Sequence, residues 1–261
     1  MPDRDEDSSD GRATADRSFV PLPASGRLFT AERRVRLGDA TPGGRLRLDA
    51  LVRYLQDVAN DDTREAGFDD VMGWVVRRTV VRIDQFPVYL EPVTLRTWCG
   101  GTGGRWAERR VQVVGGDGGL VEATTLWVHL DPETMRPKVL PPAFHELFSP
   151  SAGGRTVRAR LEHPEAPGSI SRRHGFPLRF TDFDVLGHVN NAVYWETLEE
   201  ELARRRELRA PLRAELEHRA PIEPGADVEV VAEEIPGRAS LWLRERGNDR
   251  LYATAMVEVV T

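Results

Sequence analysis

One order of segments occurs twice along this chain, and a duplicated unit restricts the fold more than any single motif does. In the first stretch a strand-like run, Glu32–Leu37, leads through the Gly-rich turn Thr41–Gly44. Next comes a segment with Leu48, Leu51, Val52, Leu55, Val58 and Ala59 on one face. That spacing is the 3.6-residue period of an amphipathic helix, and Gly67 is placed to end it. Four β-rich runs follow: Trp74–Ile83, Val93–Cys99, Arg105–Val114 and Leu120–Leu130. Glu91-Pro92, Gly100–Gly104 and Gly115–Gly119 separate them, and turn residues at such places predict an antiparallel meander.

The second stretch keeps the order. Phe176–Phe180 reads as a strand, Asp184–Gly187 as a turn, and Asn190 to about Leu208 as a helix with Val193, Leu198 and Leu202 on one side. Strand-like runs follow at Leu212–Ile222, Ala226–Glu234, Ala239–Arg246 and Leu251–Val260, and Glu223-Pro224 falls where Glu91-Pro92 fell. One helix followed by about four antiparallel strands, twice, is an α+β pattern, in which a long helix covers the apolar face of each sheet. At 261 residues the chain is long enough for two such domains. The expected divisions are a disordered acidic tail over residues 1–25, a first domain over 26–148, a linker rich in Pro, Gly and Ser over 149–169, and a second domain over 170–261.

Composition narrows the function. Hydrophobic residues are 40% and charged residues 30%, as in ordinary soluble domains. The net charge of -6 gives no bulk basic signal for nucleic acid or an anionic membrane. No apolar run approaches the roughly 20 residues of a membrane span, and the first residues lack the apolar core of a secretory signal. Cys99 is the single cysteine, so there is no internal disulfide and no Cys/His zinc cluster. A reducing, cytoplasmic setting fits, with Cys99 a small buried hydrophobe on a strand.

The most informative segment is Phe180-Thr-Asp-Phe-Asp-Val-Leu-Gly-His-Val-Asn-Asn-Ala-Val-Tyr194. Asn190 and Asn191 suit a helix N-cap, and Gly187 lets backbone approach a ligand. N–H groups at a helix start point outward at the positive end of the dipole. Such donors can stabilise the oxyanion of a carbonyl under attack. Asp184 is placed to activate water as general base, and His188 to orient water, substrate or carboxylate. The same residues also suit a plain capped turn. The matching turn of the first half, Pro42–Leu48, has glycine but neither histidine nor an Asn pair. That asymmetry puts chemistry in the second half and an apolar pocket, walled by Leu51, Leu55 and Trp74, in the first.

Gly187–Tyr194, with Asp184 ahead of it, resembles the signature of hotdog thioesterases. From about Phe29 to Val260 the chain resembles the acyl-(acyl carrier protein) thioesterases of plants and bacteria. In the first half the resemblance rests on Leu51–Gly67, Trp74–Arg78, Leu95–Gly104 followed by Arg109-Arg110, and Trp127-Val128 with Asp131–Pro137. It implies two tandem hotdog domains, each a long helix wrapped by an antiparallel sheet. It also implies hydrolysis of fatty acyl-carrier thioesters to free acid and carrier thiol, without cofactor or metal. Asp184 and His188 match two of the family's catalytic residues, and Gly187, Val189, Asn190, Asn191 and Tyr194 fall at the substrate. Glu223, ahead of Gly225-Ala-Asp227, matches a catalytic Glu, although Glu91-Pro92 at the like place allows a simple strand-turn residue. Leu186 stands where the family usually has Asn, and the Asp-x-x-Gly-His form is similar to the single-domain 4-hydroxybenzoyl-CoA type.

The resemblance implies an acyl carrier protein as partner, with acyl-CoA as the alternative donor. Arg204–Arg206 with Arg209 and Arg213 is a candidate basic patch for an acidic carrier, or else a solvated helix end. Two fused hotdogs make a pseudo-dimer, so a monomer is expected, or a homodimer of such chains. A hotdog hydratase or a non-catalytic acyl-binding module would need, respectively, a Pro between Asp184 and His188 or a lost polar constellation, and the sequence has neither.

Overall fold

The computed structural model describes residues 19, 21–68, 73–248 and 250–260. The first half comprises β1 (Phe29–Arg34), α1 (Leu48–Glu65), β2 (Trp74–Gln85), β3 (Pro92–Thr102), β4 (Trp106–Gly115), β5 (Leu120–His129) and α2 (Pro142–Phe148). The second comprises β6 (Arg172–Gly175), α3 (Glu196–Arg204), β7 (Leu212–His218), β8 (Val228–Ile235), β9 (Arg238–Glu245) and β10 (Leu251–Val259). All ten strands form one antiparallel sheet in the order β1-β3-β4-β5-β2-β7-β10-β9-β8-β6. The halves join edge to edge at β2 and β7, from Arg78 opposite Glu217 to Ile83 opposite Leu212.

Both long helices lie on one face of this sheet, over one continuous core. Alternation puts Val81, Ile83, Val111 and Val113 of the first half and Leu212, Ala214, Leu216 and Leu241 of the second under α1 and α3. α1 runs 18 residues, about 27 Å at 1.5 Å per residue, and buries the apolar stripe the sequence predicts. It ends through Ala66 into Gly67, whose φ of +68° is left-handed and suits a residue without Cβ.

Three elements differ from the sequence reading. The first expected strand, Glu32–Leu37, lies at Phe29–Arg34, and Leu37–Asp39 is instead a 3₁₀ turn whose Asp39 carboxylate accepts the Arg36 N–H. Likewise Phe176–Phe180 is not a strand: the strand is Arg172–Gly175, and Phe180–Asp182 is a 3₁₀ turn with Asp182 accepting the Arg179 N–H. A short acidic side chain offers the backbone a local bond that competes with the ladder. The helix expected from Asn190 to Leu208 is a 3₁₀ turn, Val193–Trp195, followed by α3 of nine residues. It stops because Arg205 turns inward and its guanidinium donates to the carbonyls of Ile235 and Arg238.

Residues 149–169 lie against the sheet face opposite the helices. The Trp106 and Trp242 indoles donate to the carbonyls of Val157 and Pro164 at 2.8 Å each, and the buried Glu217 carboxylate accepts the N–H groups of Glu162 and His163. The expected tail over residues 1–25 lies outside the described residues for 1–18 and 20. Among the described residues no helix is long and apolar enough to cross a membrane.

Candidate active site

The turn before α3 is built from local bonds. The Asp184 N–H donates to the His188 carbonyl at 3.0 Å, and the Gly187 N–H to the Asp184 carbonyl at 3.0 Å, which closes the loop over a Gly187 φ of +77°. One Asp184 carboxylate oxygen accepts the Leu186 N–H at 2.9 Å, and the other accepts the Asn190 amide at 3.2 Å. The Asn190 side-chain oxygen in turn accepts the Ala192 N–H at 2.9 Å, an Asx turn just ahead of the 3₁₀ segment. Asp184 and His188 are half-buried, while the Val185 and Leu186 side chains point into solvent. The N–H groups of His188 and Asn191 have no hydrogen-bond partner among the described residues.

This turn has a duplicate in the first half. Thr41 N–H to Arg45 carbonyl, Gly44 N–H to Thr41 carbonyl, Leu46 N–H to Pro87 carbonyl and Arg47 N–H to Asp39 carbonyl recur 143 residues later as Asp184 to His188, Gly187 to Asp184, Val189 to Ile222 and Asn190 to Asp182; only the acceptor of the third bond moves by a different interval. Gly44 and Gly187 both take left-handed φ. The two turns differ in what occupies them. In the first, the Glu199 carboxylate from α3 accepts the Leu48 N–H at 3.0 Å and holds the Arg45 guanidinium with both oxygens, at 3.1 and 2.7 Å. Leu48 is the counterpart of Asn191 and Arg45 that of His188. A carboxylate thus fills, in the first half, the position that the second half leaves open.

Two adjoining cavities lead inward from the open turn. The smaller, about 10 Å³, is lined by Val52, Leu55, Asn191, Trp195 and His218 among others. The larger, about 90 Å³, lies in the first half, between the end of α1, the sheet and α2, against Phe68, Trp74, Phe144 and Phe148. Arg109 and Trp127 line both, so the two cavities are neighbours, one beside Asn191 and the other in the first half.

Of the residues singled out in the sequence, Asn191 and Leu55 line the smaller cavity and Trp74 the larger. Leu51 is packed in the core and lines neither. Val189 is buried, its N–H on the Ile222 carbonyl. Tyr194 is buried with its hydroxyl accepting the Ile222 N–H at 3.2 Å. Burial pushes its pKa up, and the negative charge of Asp184 adds to the effect. Asp184 and His188 lie outside the linings of both cavities, on the turn that leads to Asn191. Glu223 is exposed on the turn after Ile222. The duplicated bonds to Pro87 and Ile222 pair it with Val88 rather than with Glu91.

Cys99 is buried and lines the larger cavity; burial raises its pKa to about 11, so it stays a thiol. Within the Arg204–Arg213 run, Arg206 and Arg209 are exposed, whereas the others are engaged within the fold. Arg205 is buried and Arg204 is paired with Glu201 and Glu234, because these side chains tie α3 to the strands. His163, Glu215 and Glu217 are the one grouping with metal-ligand chemistry among the described residues, and they lie on the opposite face of the sheet. The sequence reading missed His218, although Leu212, Ala214, Leu216 and His218 alternate inward along β7.

Residues 26–148 match the model of the acyl-ACP thioesterase N-terminal domain, and residues 166–255 that of the C-terminal domain. The chain belongs to the acyl-ACP thioesterase family. It is therefore a thioester hydrolase, and its fold is a pair of tandem hotdog domains sharing one sheet. An uncharacterized protein of Mycobacterium tuberculosis is 34% identical over 214 residues, covering 80% of this chain and 84% of that one. The dodecanoyl-[acyl-carrier-protein] hydrolase of Cinnamomum camphora is 24% identical, and the match spans 65% of this chain and about half, 49%, of the plant protein. Among solved acyl-ACP thioesterase folds, the 12:0-ACP thioesterase of Umbellularia californica superposes with a TM-score of 0.73 at 20% identity, covering 90% of this chain and 97% of its own. An acyl-ACP thioesterase from Bacteroides thetaiotaomicron gives 0.72 at 18% identity, with 88% and 97% covered.

Proposed function

We propose that the chain hydrolyses fatty acyl-carrier protein thioesters at the turn Asp184–Asn191. The thioester carbonyl oxygen would sit on the Asn191 N–H, and the acyl chain would follow the two cavities into the first half. Asp184 takes the proton of a water that attacks the carbonyl carbon. His188, beside Gly187, orients that water or the thioester. The tetrahedral oxyanion collapses, the C–S bond breaks and the thiolate leaves as the carrier thiol, with the proton returned from Asp184. Preorganised backbone donors in such a place contribute about 3–4 kcal/mol to the transition state.

The observation that carries this reading is the contrast between the duplicated turns. At the Leu48 N–H the molecule seats a carboxylate, Glu199, whose oxygen carries negative charge as the developing oxyanion does. At Asn191, which lines the smaller cavity, the equivalent N–H has no partner among the described residues. Glu223 stays a weaker candidate, adjacent in sequence to the Ile222 carbonyl that supports Val189.

The test is thiol release from a panel of acyl-carrier and acyl-CoA thioesters, repeated with Asp184→Ala. A fall in kcat of at least about a hundredfold, with the unfolding midpoint little changed, is expected for a general base. Retained turnover removes Asp184 from the mechanism. An acyl-CoA reading draws on Leu186, whose side chain is solvent-exposed and offers a carrier no polar group. Comparing one acyl chain on both donors separates the two.

A further inference from the structure

The cavity beside Asn191 is more polar than a channel for a plain hydrocarbon needs to be. Thr79, Thr125, Gln56 and His218 line the smaller cavity beside the aliphatic side chains. Two polar atoms of residues lining it, His218 Nε2 and Trp127 Nε1, are buried without a hydrogen-bond partner among the described residues. Native structures rarely leave such atoms unsatisfied, because each forfeits its hydration for nothing. Here both point to a ligand atom that completes them.

His218 is not required by the fold. It lies four residues before Ile222, and the counterpart four residues before Pro87 is Ile83, a fully buried aliphatic side chain in the same core. The first half therefore builds this strand position with isoleucine. His218 itself is 9% exposed, and it packs edge-on against the Tyr194 ring at 4.8 Å between centroids. Burial lowers its pKa to about 3, with the nearby Arg77 charge adding to the effect. The ring therefore works as a neutral donor and acceptor, the partner that suits a hydroxyl rather than a carboxylate.

His218 lines the same small cavity as Asn191, the residue whose N–H is assigned to the thioester carbonyl. On that assignment, an oxygen reaching the imidazole from within this cavity shares the cavity with the thioester carbonyl. We propose, resting on the hydrolase reading above, that the preferred substrate is a 3-hydroxyacyl thioester whose hydroxyl hydrogen-bonds His218 Nε2. Trp127 lines both cavities, and its Nε1 is a further donor there.

The experiment compares kcat/KM for 3-hydroxydodecanoyl and dodecanoyl thioesters on one carrier, in wild type, His218→Ile and His218→Gln. A site built around a substrate hydroxyl should favour the hydroxyacyl chain by about tenfold or more. His218→Ile should bring the ratio close to one, and His218→Gln should restore part of it. A wild-type ratio of one or below overturns the proposal, and so does a ratio that His218→Ile leaves unchanged. If His218→Ile does not fold, the wild-type ratio and His218→Gln decide. If neither thioester is hydrolysed, the hydrolase reading fails separately, and binding of the two free acids, followed by the fluorescence of Trp127 and Trp195, still decides. Tighter binding of the hydroxy acid supports the assignment, whereas equal binding, as expected if a trapped water completes His218, sinks it.

Discussion

Asn190 ties the proposed general base to the turn ahead of α3: its amide donates to Asp184 while its oxygen accepts the Ala192 N–H. Asn190→Ala should cost about 1 kcal/mol of stability, the usual net worth of an intramolecular hydrogen bond. It should also lower kcat with KM less affected, because Asp184 loses the group that orients it. Urea midpoints and steady-state kinetics on the one variant separate the two effects. His218 makes a pH prediction of defined sign. Its folded pKa of about 3 lies below the unfolded value near 6.5, so acid favours the unfolded chain, which binds the proton. Stability from this residue is complete above pH 6.5 and falls through the window down to pH 3. Between pH 7 and 5 the loss is about 2 kcal/mol, and His218→Ile should lack it in urea titrations at the two pH values. The Asp-x-x-Gly-His-x-Asn-Asn order made the turn legible in the sequence because its bonds are local, apart from the one from the Val189 N–H to the Ile222 carbonyl. His218 was not legible as a site residue, since its neighbours come from elements distant in sequence: Tyr194 across the second half and Val52 from α1.

At the scale of elements, Glu199 joins α3 to the start of α1, across 151 residues to Leu48 and 154 to Arg45. Glu199→Ala leaves the part-buried Arg45 and the Leu48 N–H unpaired and should cost roughly 2–3 kcal/mol. Adding Arg45→Leu should recover part of that loss, a coupling that a double-mutant cycle in guanidinium measures. α1 and eight of the ten strands follow the periodicity of their own residues, which is why their positions could be read beforehand. The exceptions are where one side chain outweighs the pattern. Asp39 and Asp182 convert strand ends into turns, and Arg205 pulls the chain out of α3 although Leu208 continues the apolar spacing.

The whole molecule is one sheet, and the β2–β7 pairing at its centre leaves neither half with a free inner edge. Residues 26–148 produced alone would expose β2 and the side of α1 that packs against α3. Such an edge is a template for pairing. The isolated half should therefore elute as a dimer or aggregate in size-exclusion chromatography with light scattering, and a stable monomer there would contradict the shared core. That joint gave no sequence signal, because two strands distant in sequence pair through backbone groups that every residue carries.

The larger cavity is walled entirely by residues from Ala59 to Phe148, whereas the groups proposed to react lie between Asp184 and Asn191. Fit to the tail of the fatty acid and attack on its head are thus inherited on separate stretches of polypeptide. Mutation can retune one without retuning the other, and a chimera that exchanges only the leading portion with a relative should change which length of acid is released while keeping its chemistry intact.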